Sequence, residues 1–294
     1  MAQLIPLTHL GIVRLTGDDT TAFLQGQLTC NMNQLEPTHW SWGGHCDPKG
    51  KLLASFRIFK RDAEVLLIMP RDLITVDLPQ MQKYAVFNKV ELSDISDQLP
   101  LHGMLGDDAL AQADALFPGN DTLRRLGDTQ LLRDSHSALI VGALPDALAN
   151  LDAADLSHWQ RHEVAQAWPM LTQEHSGELV PQMLNLDAVG GIQYDKGCYI
   201  GQETIARMHF RGGNKRAMYV AMGPAQALPD DSELQMAIGD NWRRAGVVLN
   251  QALVDGQLWL TTILAKEIEA DTRLRLGEVE LTLQPRPYPL FGDS

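Results

Sequence analysis

The sequence predicts an α+β protein whose C-terminal part is a β-barrel. Helical and strand patterns alternate irregularly up to about residue 210, unlike a regular βαβ series. Beyond that point short β-rich runs take over, and Asp255-Gly256 between two of them is a strong hairpin signal. A chain of 294 residues exceeds one small core and suits two or three lobes. Its 45% hydrophobic and 21% charged residues are ordinary for a globular protein.

The elements follow in order. Residues 12–15 read as a short strand. Gly17-Asp18-Asp19 then offers a turn and a helix cap ahead of Phe23, Leu24 and Leu28. Asp47-Pro48-Lys49-Gly50 is a turn between extended runs, and residues 51–59 and 64–69 read as a strand pair. A helix is expected over 78–87, with Pro79 tolerable only in its first turn. Asp107-Asp108 is expected to cap a helix to Phe117, and Ser157 one through Ala167, ended by Trp168-Pro169. The β-rich runs are 218–222, 234–238, 246–254, 257–264 and 278–283, in a barrel starting near Gly212-Gly213.

Charge narrows the function classes. A formal net charge of -13 makes non-specific nucleic-acid binding poor and disfavours tight, direct tRNA binding, because phosphate contacts need clustered Lys and Arg. Arg207, Arg211, Lys215 and Arg216 form a local basic patch, readable equally as a solvated turn or a binding surface. The three cysteines, Cys30, Cys46 and Cys198, are odd in number and widely spaced, which points to a reducing compartment. No Cys-x-x-Cys pair occurs, so no metal site is expected. The N-terminus lacks the basic and apolar regions of a secretory signal, and apolar runs such as 65–69 and 138–144 are too short to span a membrane. A cytoplasmic protein is expected.

The densest chemistry lies in Lys196, Gly197, Cys198, Tyr199, Ile200, Gly201, Gln202 and Glu203. A base, thiol, phenol, amide and carboxylate are packed together with little apolar surface to justify a core role. A helical pattern starts near Gly201 and runs through Ile205 and Met208, placing Glu203 in its first turn, where the helix dipole favours a carboxylate. Cys198 precedes that N-terminus and lies two residues from Lys196; both features favour a thiolate. A lone Cys is more often a small buried hydrophobe, but this company favours a reactive or binding loop.

The 196–203 segment resembles the defining motif of the YgfZ family of folate-binding, tRNA-modification proteins, related to the aminomethyltransferase (T-protein) of the glycine cleavage system. The resemblance covers nearly the whole chain. It includes Phe23-Leu24-Gln25-Gly26-Gln27-Leu28-Thr29, Cys46-Asp47-Pro48-Lys49-Gly50-Lys51, Lys83-Tyr84-Ala85-Val86-Phe87, Asn185-Leu186, Phe210-Arg211-Gly212-Gly213-Asn214-Lys215-Arg216 and Asn241-Trp242-Arg243-Arg244. It implies aminomethyltransferase-like, interleaved folate-binding lobes over about 1–210, with an inner lobe near 47–125, and a barrel over 211–294. It further implies a tetrahydrofolate or derivative as cofactor, and iron–sulfur enzymes, including those that modify tRNA by methylthiolation, as partners, with an indirect link to tRNA.

The resemblance also names residues. Trp159 resembles a family tryptophan implicated in folate contact; an indole suits a pterin as a stacking platform, and it equally suits core packing. A second family tryptophan falls at Leu10. Related sequences often carry Glu-Ala-Gly before an aromatic–Pro pair, where this chain has Ala165-Gln166-Ala167 before Trp168-Pro169. Glu163 or Gln166 is then the substitute for that acid, and Asn185 is a further candidate contact. Where aminomethyltransferases carry adjacent aspartates this chain has Ala54 and Ser55, so the conventional transferase mechanism is not expected. A folate-dependent one-carbon transferase and a thiol-redox factor acting through Cys198 remain as alternatives.

Overall fold

Consecutive strands near the N-terminus go to different sheets, and this crossing organises the molecule. The structure, a computed structural model, describes residues 3–229, 231 and 233–290. Strands β1 (Gln3–Pro6) and β2 (Leu10–Thr16) are separated only by Leu7, Thr8 and His9. Strand β2 joins β3 (Trp40–Cys46), β4 (Leu52–Arg61), β5 (Glu64–Pro70) and β6 (Glu91–Asp94) in the order β3-β4-β5-β2-β6. Strand β1 joins β7 (Leu101–Leu105), β8 (Leu123–Leu126), β9 (Thr129–Arg133), β10 (Ser137–Val141) and β11 (Asp152–Ala153) in the order β11-β1-β7-β10-β9-β8. The change of sheet falls between residues 94 and 101, so an inner lobe drawn at 47–125 takes strands from both sheets.

Helix α1 (Thr20–Gln27) and helix α2 (Arg71–Ala85) belong to the first sheet region, and α3 (Asp107–Leu116) packs on the second. The run Val65, Leu66, Leu67, Ile68 and Met69 in β5 is buried throughout, as expected of a strand covered on both faces. Helix α4 (Leu156–Ala165) packs against both the lobes and the barrel, and α5 (Gln202–Phe210) carries the end of the 196–203 motif.

The C-terminal barrel is closed in the order β12-β15-β14-β13-β16-β17. Its strands are β12 (Arg216–Pro224), β13 (Glu233–Ile238), β14 (Asn241–Val254), β15 (Gln257–Ala265), β16 (Leu274–Leu276) and β17 (Val279–Leu283). Asp255 and Gly256 both take positive φ, 52° and 71°, and Val254 pairs with Gln257, as a two-residue hairpin requires. Strand β16 has three residues and no readable period, and the sequence reading omits it.

Three helix starts, those of α2, α3 and α4, differ from expectation, and α1 starts as expected but without the capping bond. Helix α2 begins at Arg71, well before 78, so Pro79 lies in its interior. The buried face of Leu73, Ile74, Asp77 and Met81 outweighs the weak helix propensity of Ile74, Thr75 and Val76, which had hidden the first turns. Asp19 occupies the cap of α1 without a capping bond; its Oδ2 accepts from Lys89 N at 2.7 Å instead. Gly106 is the residue before α3, leaving Asp107 and Asp108 in the first turn. Asp155, not Ser157, caps α4, accepting from Ser157 N at 2.9 Å.

Candidate functional site

A cavity of about 610 Å³ opens where the N-terminal crossing, the start of α2, helix α4 and the barrel meet. That volume suits a drug-sized or cofactor-sized ligand. Thr8 and His9 come from the crossing, Arg71, Asp72 and Thr75 from α2, Gln160, Glu163 and Val164 from α4, and Asn250, Gln251 and Thr261 from β14 and β15. Trp168 and Met170 add apolar wall. Asn250 Nδ2 donates to Met170 O at 2.8 Å, and the Tyr288 hydroxyl donates to Ala167 O at 2.5 Å, so the barrel side is tied to the segment carrying Trp168.

Glu163 is the charged centre of this cavity. Trp159 Nε1 donates to its Oε1 at 2.8 Å, and His9 Nε2 lies 3.3 Å from its Oε2. Burial alone would raise this carboxyl's pKa, but the His9 hydrogen bond and charge, the Arg57 charge and the Trp159 bond together hold it below the ordinary value. A carboxylate has about four acceptor positions, so two protein donors leave room for ligand donors. Among the described residues, His9 Nδ1 and Gln251 Oε1 are buried without a protein partner, and both residues line the cavity.

Behind Trp168 lies a buried cation. The Arg57 guanidinium sits 4.5 Å from the Trp42 ring centre and 4.2 Å from that of Trp168. Its terminal nitrogens have no hydrogen-bond partner among the described residues, and the indole faces provide the compensating cation–π contact. Burial lowers the guanidinium's pKa, opposed by the charges of Glu163 and Asp134. The neighbouring His162 is held neutral near pH 7, since burial pulls it down to about 4.

The 196–203 motif is built at a separate place. No residue of it lines the cavity. Lys196 Nζ donates to Leu28 O and Cys30 O, both at 2.7 Å, and lies 4.8 Å from the Tyr199 ring centre. Burial lowers the ammonium to about 8. The lysine is thus buried against the 23–29 segment, and its ammonium is engaged by these carbonyls rather than by the Cys198 thiolate. Ile200 N donates to Gly26 O at 3.1 Å. Gly201 takes φ +81°, and a Cβ there would meet Asp47 O at 2.7 Å and Gly50 Cα at 2.8 Å. Three motif segments far apart in sequence, 23–29, 46–51 and 196–203, therefore converge. Gly197, Cys198 and Glu203 are exposed on this assembly, while Tyr199 is buried and Gln202 Nε2 reaches Lys196 O at 3.4 Å.

The remaining candidates separate by role. Trp159 is fully buried and does not line the cavity; it positions Glu163, and Trp168 supplies the aromatic wall. Leu10 is buried at the start of β2, and Gln166 ends α4 outside the cavity lining. Asn185, at φ 57°, receives Met218 N on its side-chain oxygen at 3.0 Å and donates to Met218 O at 2.9 Å, clamping the lobes to β12. Ala54 is buried, and buried Ser55 accepts from Leu171 N at 2.9 Å. Cys30 and Cys46 are buried, and burial raises their thiols, that of Cys30 to about 11. His9, Gln251 and Arg57 were missed from the sequence, where no local pattern marks them.

Comparison with known proteins agrees with this architecture. Residues 214–279 match the family described as YgfZ, beta-barrel domain. The chain is 35% identical to the tRNA-modifying protein YgfZ of Photobacterium profundum over 94% of this chain and 87% of that protein. It is 34% identical to the protein of the same name from Serratia proteamaculans (strain 568), over 99% of this chain and 94% of that one. The glycine cleavage system aminomethyltransferase T from Bartonella henselae has a similar fold, with a TM-score of 0.72 at 15% identity over 97% of this chain and 86% of that chain.

Proposed function

This chain belongs to the YgfZ family, and from that premise we propose that it binds a reduced folate, tetrahydrofolate or a derivative, and supports tRNA modification. In this reading it acts in the cytoplasm through iron–sulfur-dependent enzymes such as those of tRNA methylthiolation. The carrying observation is Glu163, held by Trp159 and His9 and lining, with Trp168, a cavity of about 610 Å³. A pterin is flat, with amino and ring N–H donors on one edge. Glu163 would accept from that edge, Trp168 would pack against the ring, and His9 Nδ1 and Gln251 Oε1 have unmet hydrogen-bonding capacity for it. Arg71, at the cavity rim and paired with Asp97 at 2.7 Å, suits the carboxylates of a folate tail. The bound folate would supply one-carbon or pterin chemistry; the chain's residues bind and orient it.

Conventional aminomethyl transfer is not part of this function, because buried Ala54 and the hydrogen-bonded Ser55 offer no acid at the positions expected of a transferase. The test is calorimetric titration with tetrahydrofolate and its formyl and methylene derivatives. Glu163→Gln should weaken the best ligand at least about tenfold, since a hydrogen bond to a charged group contributes about 1.5–3 kcal/mol. Equal affinity in a folded Glu163→Gln protein would remove the carboxylate from the reading. Methylene-tetrahydrofolate formation from an aminomethyl donor would overturn the exclusion of transfer.

Exposed Cys198 carries the second half of the proposal, a working thiol outside the folate cavity. Cys198→Ser should melt like the parent yet fail to restore methylthiolated tRNA in cells lacking the protein. Normal restoration would return Cys198 to an ordinary surface residue.

A further inference from the structure

We infer that the outer face of α5 and the turn after it form a weak docking surface for single-stranded RNA. The chain carries a net charge of -13, yet no Asp or Glu occurs between Glu203 and Asp230. Arg207, Arg211, Lys215 and Arg216 lie in that interval, and all four are exposed. Among the described residues none of their side chains joins an ion pair or hydrogen bond.

The helix is held from its other side, which fixes what it presents outward. Ile205 is fully buried, and the His209 ring stacks on Tyr194 with centres 3.6 Å apart. Arg207, Phe210 and Arg211, spaced three and four residues apart, are left on the solvent side. Phe210 is 71% exposed, which an aromatic ring with only a structural role does not need. Its ring meets His209 edge-on at 4.7 Å and Tyr194 at 6.1 Å, which seats it on the helix, and the largely exposed ring between two guanidiniums is what a single strand requires: a platform for one base and cations for the flanking phosphates. The lone carboxylate on the face, Glu203, and the acidity of the remaining chain keep the contact weak and local. An acidic protein would use the four cations without needing the ring, so Phe210 favours RNA. The relatives named as tRNA-modifying make RNA the strand to test. This surface is independent of folate, so the ligand-free full-length protein is the right sample.

The experiment is fluorescence anisotropy with a labelled, unpaired A/U RNA of about 12 nucleotides, within the usual site size for single strands. Three or four phosphate contacts predict an affinity about 20- to 50-fold lower at about 200 mM than at about 50 mM salt. Phe210→Ala should weaken RNA binding about tenfold without changing the melting temperature, and Arg207→Ala with Arg211→Ala should flatten the salt dependence. Arg125→Ala, which removes a cation paired with Asp62 and Asp128, should leave binding unchanged. Absence of binding at the lower salt overturns the inference. So does equal competition by polyglutamate together with an unaffected Phe210→Ala variant, which would assign the face to an acidic protein. DNA of the same sequence binding more tightly than RNA also overturns it.

Discussion

Trp159 fills the space that Gly103 leaves open: a Cβ on that glycine would meet Trp159 Cε3 at 2.3 Å. The ring is consequently fixed, and its one polar atom is aimed at Glu163. Burial of an indole demands a partner for its N–H, and here that partner is the carboxylate of the cavity. Trp159→Phe keeps most of the packing and removes only the donor and one ring. It should lower stability by about 1.5–3 kcal/mol, the range for a hydrogen bond to a charged group. Folate affinity should fall with it, because Glu163 loses its orientation. Urea unfolding and calorimetry on the same sample separate the two effects; unchanged affinity would show that His9 alone suffices to hold the carboxylate.

At the scale of an element, α2 is the informative case. Pro79 sits inside a 15-residue helix, where its missing N–H leaves the Thr75 carbonyl without its usual partner. The helix survives because its buried face, Leu73, Ile74, Met81 and Ala85, packs on the sheet. An interior proline costs about 3 kcal/mol relative to alanine, whereas proline also restricts the unfolded chain by about 0.4–1 kcal/mol. Pro79→Ala should therefore stabilise the protein, by about 1–2 kcal/mol once local adjustment of the native helix is allowed for. A rise in the denaturant midpoint at constant slope checks this; a fall would mean that Pro79 is needed for α2 to present Arg71, Asp72 and Thr75 to the cavity.

Across the whole molecule, the barrel is joined to the lobes by polar clamps and by a shared apolar core, in which Met218, Val220, Leu249 and Ile263 pack with lobe residues, and the cavity lies along that seam. Asn185→Ala would leave Met218 N and O unpaired and place alanine at φ 57°. The cost should be about 2–4 kcal/mol, summing unsatisfied backbone groups and left-handed strain. Differential scanning calorimetry should show the loss, and a split into two transitions would locate it at the barrel junction. The acid limb of stability belongs to this scale too. Unfolded His162 takes up its proton near 6.5, folded His162 only near about 4, so the unfolded state binds more protons between them. Stability should fall as pH drops from about 6.5 to about 4, and His162→Gln should flatten that stretch. Glu163 adds a loss below the ordinary carboxylate range, because its folded pKa is depressed and its stabilisation disappears on protonation. Denaturant titrations carried from about pH 7 to about pH 3 distinguish the two, because the His162 loss comes first and the Glu163 loss follows at lower pH.

By itself the sequence determined the α+β class and the C-terminal barrel, because each has a local cause, and it singled out residues 196–203 for the same reason. Short β-rich runs, the Asp255-Gly256 turn and a dense cluster of unlike polar groups are all visible within a few residues. The family resemblance offered Glu163 or Gln166 for the absent acid, the first of them one turn of helix from Trp159. Tertiary structure decided what these residues face. Lys196 turns inward to Leu28 and Cys30, Trp159 lies behind the cavity, and Trp168 forms its wall. His9, Glu163 and Gln251 meet only because β1 and β2 enter different sheets and β14 closes over α4. Such meetings depend on contacts between residues about 80 or more positions apart, such as Asn250 with Met170, for which no periodicity or spacing leaves a local trace.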